Sequence, residues 1–215
     1  MLEVYKLTLG QLNTNCYILY SKVSKHCVII DPADEASLIY EKIYLLNLKP
    51  KLIVATHGHF DHIQAAAELK LFYKIPFYLH KKDLFLLRHF RKSAIRFTQI
   101  DPGPAPEVDA YLDKKIAFGE IELSVIETPG HTPGSVSFYS KRAGIIFAGD
   151  LLFYGGGVGR YDFSYCDKNK LFRSIRKVLK LPKETLIYPG HGEETNVEFE
   201  QVCHKHGLLR DITEG

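Results

Sequence analysis

The chain has 215 residues, 46% of them apolar and 25% charged, with a formal net charge of +3. A chain of that length hides roughly 70–75% of its unfolded surface, so it needs neither disulfides nor a structural metal to hold a core. The small positive excess does not argue for a nucleic-acid partner, and no apolar stretch approaches the roughly 20 residues that cross a membrane. The four cysteines (Cys16, Cys27, Cys166, Cys203) form no C-x-x-C pair, and Glu3 and Lys6 interrupt any leader-like opening. One domain over residues 1–215, in a reducing cytoplasm, is the expectation.

Short apolar runs rich in β-branched and aromatic residues open the chain at 2–9, 16–20 and 27–30, and these predict a meander of antiparallel strands. Asp31-Pro32 stops the third run. Leu38, Ile39, Ile43 and Leu46 then recur at helical spacing within 36–46, and Asp34 and Glu35 just before them suit a helix start. A buried strand is expected at 52–55, a helix at 63–73, a strand at 76–79 and a helix within 82–90. The basic run Arg88, His89, Arg91, Lys92, Arg96 reads first as a solvated helix face, and second as a subsite for an anionic substrate.

Asp101-Pro102-Gly103-Pro104-Ala105-Pro106 is the clearest breaker. Strands follow at 121–127, 135–140 and 145–148. After the glycine-rich residues 155–159 come a helix at 168–179 and a last strand at 185–188. Cys203, His204 and His206 read as a frayed polar tail. Strands precede helices in each half, an order that fits two packed sheets with helices outside.

The strongest chemical signal is Thr56-His57-Gly58-His59-Phe60-Asp61-His62, at the end of an expected buried strand. Four ligand-type side chains fall within six positions, and Gly58 permits a tight turn between two of them. Neutral imidazole and carboxylate are the donors that zinc and similar divalent ions prefer. Three later residues repeat one design, an apolar strand, a small flexible residue and a ligand. These are His131 in Pro129-Gly130-His131, Asp150 after Ala148-Gly149, and His191 in Pro189-Gly190-His191. Strand ends on one edge of a sandwich converge, so the seven residues could meet.

This pattern resembles the metallo-β-lactamase superfamily over nearly the whole chain. Within it the sequence is most similar to the glyoxalase II-like (hydroxyacylglutathione hydrolase-like) branch. Gly10-Gln11-Leu12-Asn13-Thr14-Asn15-Cys16-Tyr17, Thr128-Pro129-Gly130-His131-Thr132-Pro133-Gly134-Ser135 and Gly159-Arg160-Tyr161-Asp162-Phe163 carry that likeness. The resemblance implies an α/β fold, an αββα four-layer sandwich of two mixed β-sheets flanked by helices. It implies two divalent metal ions, zinc first, with iron or manganese as alternatives. His57, His59 and His131 would hold one ion, Asp61, His62 and His191 the other, and Asp150 would bridge them. Asp61 would also orient the attacking water, and Arg160 would touch the substrate or else pair with Asp162 as a structural residue.

The implied reaction is hydrolysis of a thioester such as S-lactoylglutathione, a small molecule, with no nucleic-acid or membrane partner. Three features depart from that branch. Only 24 residues follow His191, too few for its C-terminal helical domain, so a short form is expected; Glu193 stands where a tyrosine is common; and Gln64-Ala65 replaces a glycine. The competing readings are a persulfide dioxygenase using one iron on His57, His131 and Asp150, a nuclease or phosphodiesterase, and a β-lactamase. A non-enzymatic zinc module fits less well, because structural sites are closed and four-coordinate.

Overall fold

A computed structural model describes residues 1–206. The opening meander is β1 (Leu2–Leu9), β2 (Thr14–Ser21) and β3 (His26–Ile30), followed by α1 (Ala36–Leu45) and β4 (Lys49–Val54). Next come α2 (Phe60–Ile63), α3 (Ala66–Tyr73) and β5 (Phe77–Leu79). A 3-10 turn at Lys81–Asp83 leads into α4 (Leu84–Leu87), α5 (Phe90–Thr98) and β6 (Ala110–Tyr111). The second half holds β7 (Lys115–Phe118), β8 (Ile121–Glu127), β9 (Val136–Ser140), β10 (Ile145–Gly149), β11 (Leu152–Phe153) and β12 (Gly157–Val158). It ends with α6 (Lys168–Val178), β13 (Leu186–Pro189), β14 (Thr195–Asn196) and α7 (Val197–His206).

Strands β1 to β6 form one six-stranded sheet in sequence order, and the second six-stranded sheet runs β14-β13-β10-β9-β8-β7. Both are mixed. The β3–β4, β4–β5, β5–β6 and β10–β13 pairs are parallel, and the other pairs within these two sheets are antiparallel. Alternation along each strand explains the layering. Tyr17, Leu19, Val28, Ile30, Leu52 and Val54 point one way and pack on Leu123, Phe138 and Phe147 of the other sheet. Their neighbours Ile18, Tyr20, Cys27, Ile29 and Ile53 point the opposite way, against Ile39, Ile43, Leu69 and Phe90 of the helices. Ile146, Ala148 and Ile187 likewise meet Leu171, Phe172, Ile175 and Val178 of α6. Strands apolar on both faces need cover on both sides, and four layers, αββα, supply it.

Several expectations shift. The helix expected at 63–73 is two helices, and the first starts at Phe60, so Asp61 and His62 lie in its first turn. The basic run falls mostly in α5 rather than in a helix within 82–90. Glu35 stands at the N-cap position of α1, but its side chain makes no capping hydrogen bond. Glu35 takes a left-handed backbone (φ 49°), which turns its carboxylate back to accept from Gly10 N at 3.0 Å. The segment read as a frayed tail is α7. Its Glu200 is buried and accepts from Gly155 N, Gly156 N and the Thr195 hydroxyl, and His204 packs beside it. The side chain of His206 lies outside the described residues.

Candidate metal centre

Strand β4 delivers the chain to Thr56, whose N–H and hydroxyl both donate to the buried Asp31 carboxylate at 2.6 and 2.7 Å. That clamp sets the path of the residues that follow. Gly58 has no positive φ. It is required instead by close approach, since its N–H donates to Asp83 Oδ2 at 3.0 Å and a Cβ there would stand 3.1 Å from Asp83. His59 remains extended, and α2 then rotates Asp61 and His62 toward the same hollow. His131 comes from the loop between β8 and β9, Asp150 directly follows β10, and His191 follows β13.

All seven sequence-derived candidates converge. His57 Nε2 lies 3.0 Å from His59 Nδ1, and His131 Nε2 lies 2.9 Å from the same atom. Beside this trio, His191 Nε2 and His62 Nε2 lie 3.5 and 3.6 Å from Asp61 Oδ2. The Asp150 carboxylate stands between the groups, 3.4 Å from His62, 3.5 Å from His131 and 3.6 Å from His191.

The outward nitrogens fix which nitrogen of each ring faces inward. His57 Nδ1–H donates to Thr56 Oγ1 (3.1 Å), whose own proton goes to Asp31, and His62 Nδ1–H donates to Asp31 Oδ2 (3.0 Å). His131 Nδ1–H donates to the Arg160 carbonyl (2.7 Å) and His191 Nδ1–H to the Leu12 carbonyl (3.1 Å). His59 Nε2 lies 2.8 Å from the Tyr165 hydroxyl. Outer partners of this kind orient metal-binding imidazoles. In these tautomers, assigned from the network, three lone pairs face one another at His57, His59 and His131. Such an arrangement suits a cation held between them. Tetrahedral bonds of about 2.0–2.1 Å would set neighbouring nitrogens about 3.3 Å apart, close to the spacing seen. His62 Nε2 and Asp150 Oδ1 are also buried without any hydrogen-bond partner.

Electrostatics point the same way. Burial and the adjacent His131 hold His59 down at about 3, and burial with His62 and His59 holds His57 well below its usual value. Burial opposes charge on His62 and His191 too, but the carboxylates overrule it. Asp150, Asp61 and Asp31 raise His62 well above normal, and Asp150 and Asp61 raise His191 to about 10. For Asp61, burial is outweighed by His62 and His191, and its carboxyl falls to about 2. Without a metal ion, protons on His62 and His191 supply the positive charge these carboxylates demand.

The cluster forms the floor of a cavity of about 720 Å³, open to solvent. Arg160 lies at its mouth, where both arms of the guanidinium reach the Asp162 carboxylate at 2.9 and 2.8 Å. Of the basic run, His89, Lys92 and Arg96 line the cavity, whereas Arg91 pairs with Asp101. Asp31, Asp83, Thr14 and Tyr165 are site residues that sequence reasoning passed over. Asp31 had a usable signal, an apolar strand ending on an aspartate, the same design that singled out Asp150.

The profile of the metallo-beta-lactamase superfamily matches residues 9–191, which contain all seven converging side chains. The chain belongs to the metallo-beta-lactamase superfamily. Among members of this superfamily, it is 34% identical over 210 residues to hydroxyacylglutathione hydrolase GloC of Haemophilus influenzae, covering 93% of this chain and 94% of that one. The BLEG-1 B3 metallo-beta-lactamase superposes with a TM-score of 0.87 at 34% identity, over 96% of this chain and 99% of that one. TTHA1623 in a di-iron-bound form gives 0.82 at 36% identity, over 92% and 96%. The superfamily is one of metallo-hydrolases, its fold binds divalent metals, and the His/Asp cluster fits such a site.

Proposed function

We propose that this chain is a dinuclear metal-dependent hydrolase that cleaves a small-molecule thioester of the hydroxyacylglutathione kind. One observation carries the reading. Two sets of inward donors, His57–His59–His131 and Asp61–His62–His191, lie side by side with the Asp150 carboxylate between them, on the floor of an open cavity. His57, His59 and His131 would hold one cation, Asp61, His62 and His191 the other, and Asp150 both. The likeness to GloC supports the thioester. Imidazole and carboxylate donors suit zinc first, and the di-iron form of TTHA1623 keeps iron, with manganese, among the candidates.

Bound divalent cations supply Lewis acidity, polarising a carbonyl and making hydroxide available from water near neutral pH. The residues do the rest. Asp61, ionised down to about pH 2 and held by the Thr14 hydroxyl at 3.0 Å, orients the attacking water. Outer partners keep the imidazoles in the tautomers that leave their inner nitrogens free. Arg160, its charge balanced by Asp162, borders the substrate at the mouth. A thiol with a pKa near 8.5 leaves as thiolate, so the chemistry needs no strong general acid. We further propose that the chain acts as one domain, the site being built from both sheets, and that its location is cytoplasmic, in keeping with four free cysteines.

The test is a substrate panel on protein of measured metal content, comprising S-lactoylglutathione, a β-lactam, glutathione persulfide and a phosphodiester. Thioester cleavage should dominate. Oxygen-consuming turnover of the persulfide alone, or β-lactam hydrolysis alone, would overturn the assignment.

A further inference from the structure

We propose that helix α5 carries an anion-binding subsite, in which Lys92 and Arg96 hold a carboxylate or phosphate on the thiol half of the substrate. The inference rests on the thioesterase reading for what the occupant is, and on independent geometry for where its charge sits. Helical periodicity divides the basic run. His89, Lys92, Ser93 and Arg96 fall on one stripe and line the cavity. Arg91 points elsewhere, and its Nε donates to Asp101 at 2.8 Å.

Charge balance differs across the cavity mouth. On one side Arg160 is held by both Asp162 oxygens and lies 4.4 Å from the centre of the Phe163 ring, so that wall is neutral overall. On the α5 side, among the described residues, neither Lys92 nor Arg96 has a carboxylate within 4.0 Å. The uncompensated positive charge of the mouth therefore lies on this helix.

Helix stability does not account for the pair. Lys92 occupies the first turn of α5, which has no acidic residue and where the helix dipole disfavours a cation. Like charges four residues apart also repel on a helix surface. An arrangement that weakens a helix yet aims both cations at a cavity is what ligand binding would retain. The same cavity is also lined by the aromatic residues Phe85, Phe97, Phe163 and Tyr165. The fitting substrate thus has a reacting carbonyl at the floor, an apolar or amide-containing middle, and a distal anion against α5. A cavity of about 720 Å³ is within the usual range for such ligands.

Calorimetry with unreactive thioethers on the metal-loaded protein separates this subsite from the chemistry. S-hexylglutathione offers carboxylates and S-hexyl-coenzyme A offers phosphates. The double variant K92Q/R96Q should lose about tenfold or more in affinity for whichever ligand binds, the worth of at least one charge-assisted contact. It should also show a shallower salt dependence. R91Q, altered outside the cavity, should bind like the parent, and the thermal midpoint of K92Q/R96Q should not fall, because both side chains are exposed and their mutual repulsion on the helix is relieved. Unchanged affinity in K92Q/R96Q, or equal loss in R91Q, overturns the subsite, as does failure of the parent to bind either thioether. Binding that depends on Lys92 and Arg96 without any thioester turnover would sink the thioesterase reading and leave the subsite standing.

Discussion

Asp31 Oδ2 accepts a hydrogen bond from His62 Nδ1 at 3.0 Å, and neither side chain is more than 1% exposed. The same carboxylate clamps Thr56 through its N–H and hydroxyl, so one buried charge orients the start and the end of the Thr56–His62 segment. Asp31→Asn keeps the shape and removes the charge that fixes the His62 tautomer. Cation affinity at the Asp61–His62–His191 set should fall about 10–100-fold, the usual effect of losing such a partner. Competition with a graded chelator, read by metal content per chain, checks this. Parent-like affinity at both sites would show that Asp31 serves only the fold.

The metal-free protein should lose stability as pH rises from about 7 to 10. His191 keeps its proton up to about 10 in the fold against 6.5 for the ordinary side chain, and His62 shifts in the same direction. A raised folded pKa stabilises fully below the unfolded value, and that contribution disappears as pH climbs through the folded one. With cations bound, the same imidazoles are neutral ligands and higher pH favours loading. Thermal unfolding in chelator and in saturating zinc should therefore trend in opposite directions across this window. A flat or rising midpoint in chelator contradicts the assignment of protons to His62 and His191.

Gly190 precedes His191 with no space for a side chain. A Cβ there would lie 2.1 Å from Asp150 Oδ1 and 2.7 Å from His62 Cε1. Gly190→Ala should push Asp150 from between the two ligand sets and lower turnover by about 100-fold or more, the scale of an ångström-sized misplacement. Circular dichroism should be little changed. Retained activity together with full metal content would mean that the loop yields freely.

Asp83 joins three segments. It accepts from Gly58 N, Gly134 N and the Thr132 hydroxyl at 3.0, 2.6 and 2.7 Å, while fully buried. Asp83→Ala would orphan the Gly58 and Gly134 N–H groups and leave the Thr132 hydroxyl with Ser135 Oγ alone, and a loss of about 3 kcal/mol follows from ordinary desolvation penalties. Chemical denaturation of the metal-free chain measures it without interference from ligation. A change below about 1 kcal/mol, within reach of a single ordinary hydrogen bond, would indicate that water replaces the carboxylate.

Asp61→Asn should lower turnover far more than it lowers occupancy of the His57–His59–His131 set, to which Asp61 contributes no donor. Rate and metal content measured on the same samples separate the two effects. Unchanged turnover would rule out Asp61 as the group that orients water.

The site was legible in sequence to the extent that each candidate ligand advertises itself locally. Four donors crowd into His57–His62, and His131, Asp150 and His191 each follow an apolar strand and a small residue. Asp83 and Tyr165 advertise nothing. Each acts on a partner distant in sequence, Asp83 on Gly134 and Tyr165 on His59, and no spacing rule connects them. The short strands β6, β11, β12 and β14 also escaped detection, because two residues carry no periodicity. Helix α7 was missed for a different reason. Its buried face is held by Glu200 against the Gly155–Gly156 backbone, so a polar residue occupies a position where an apolar one signals burial.

Short apolar runs and donor chemistry, which are properties of the chain itself, pointed to two packed sheets with helices outside and to the seven converging residues, and the resemblance to the superfamily supplied the four-layer order. Which nitrogen of each imidazole faces inward and which cations remain free along the cavity were decided only when distant segments met. Charge and hydrogen bonding depend on partners in space, and for Asp31 and Lys92 those surroundings exist only in the folded protein.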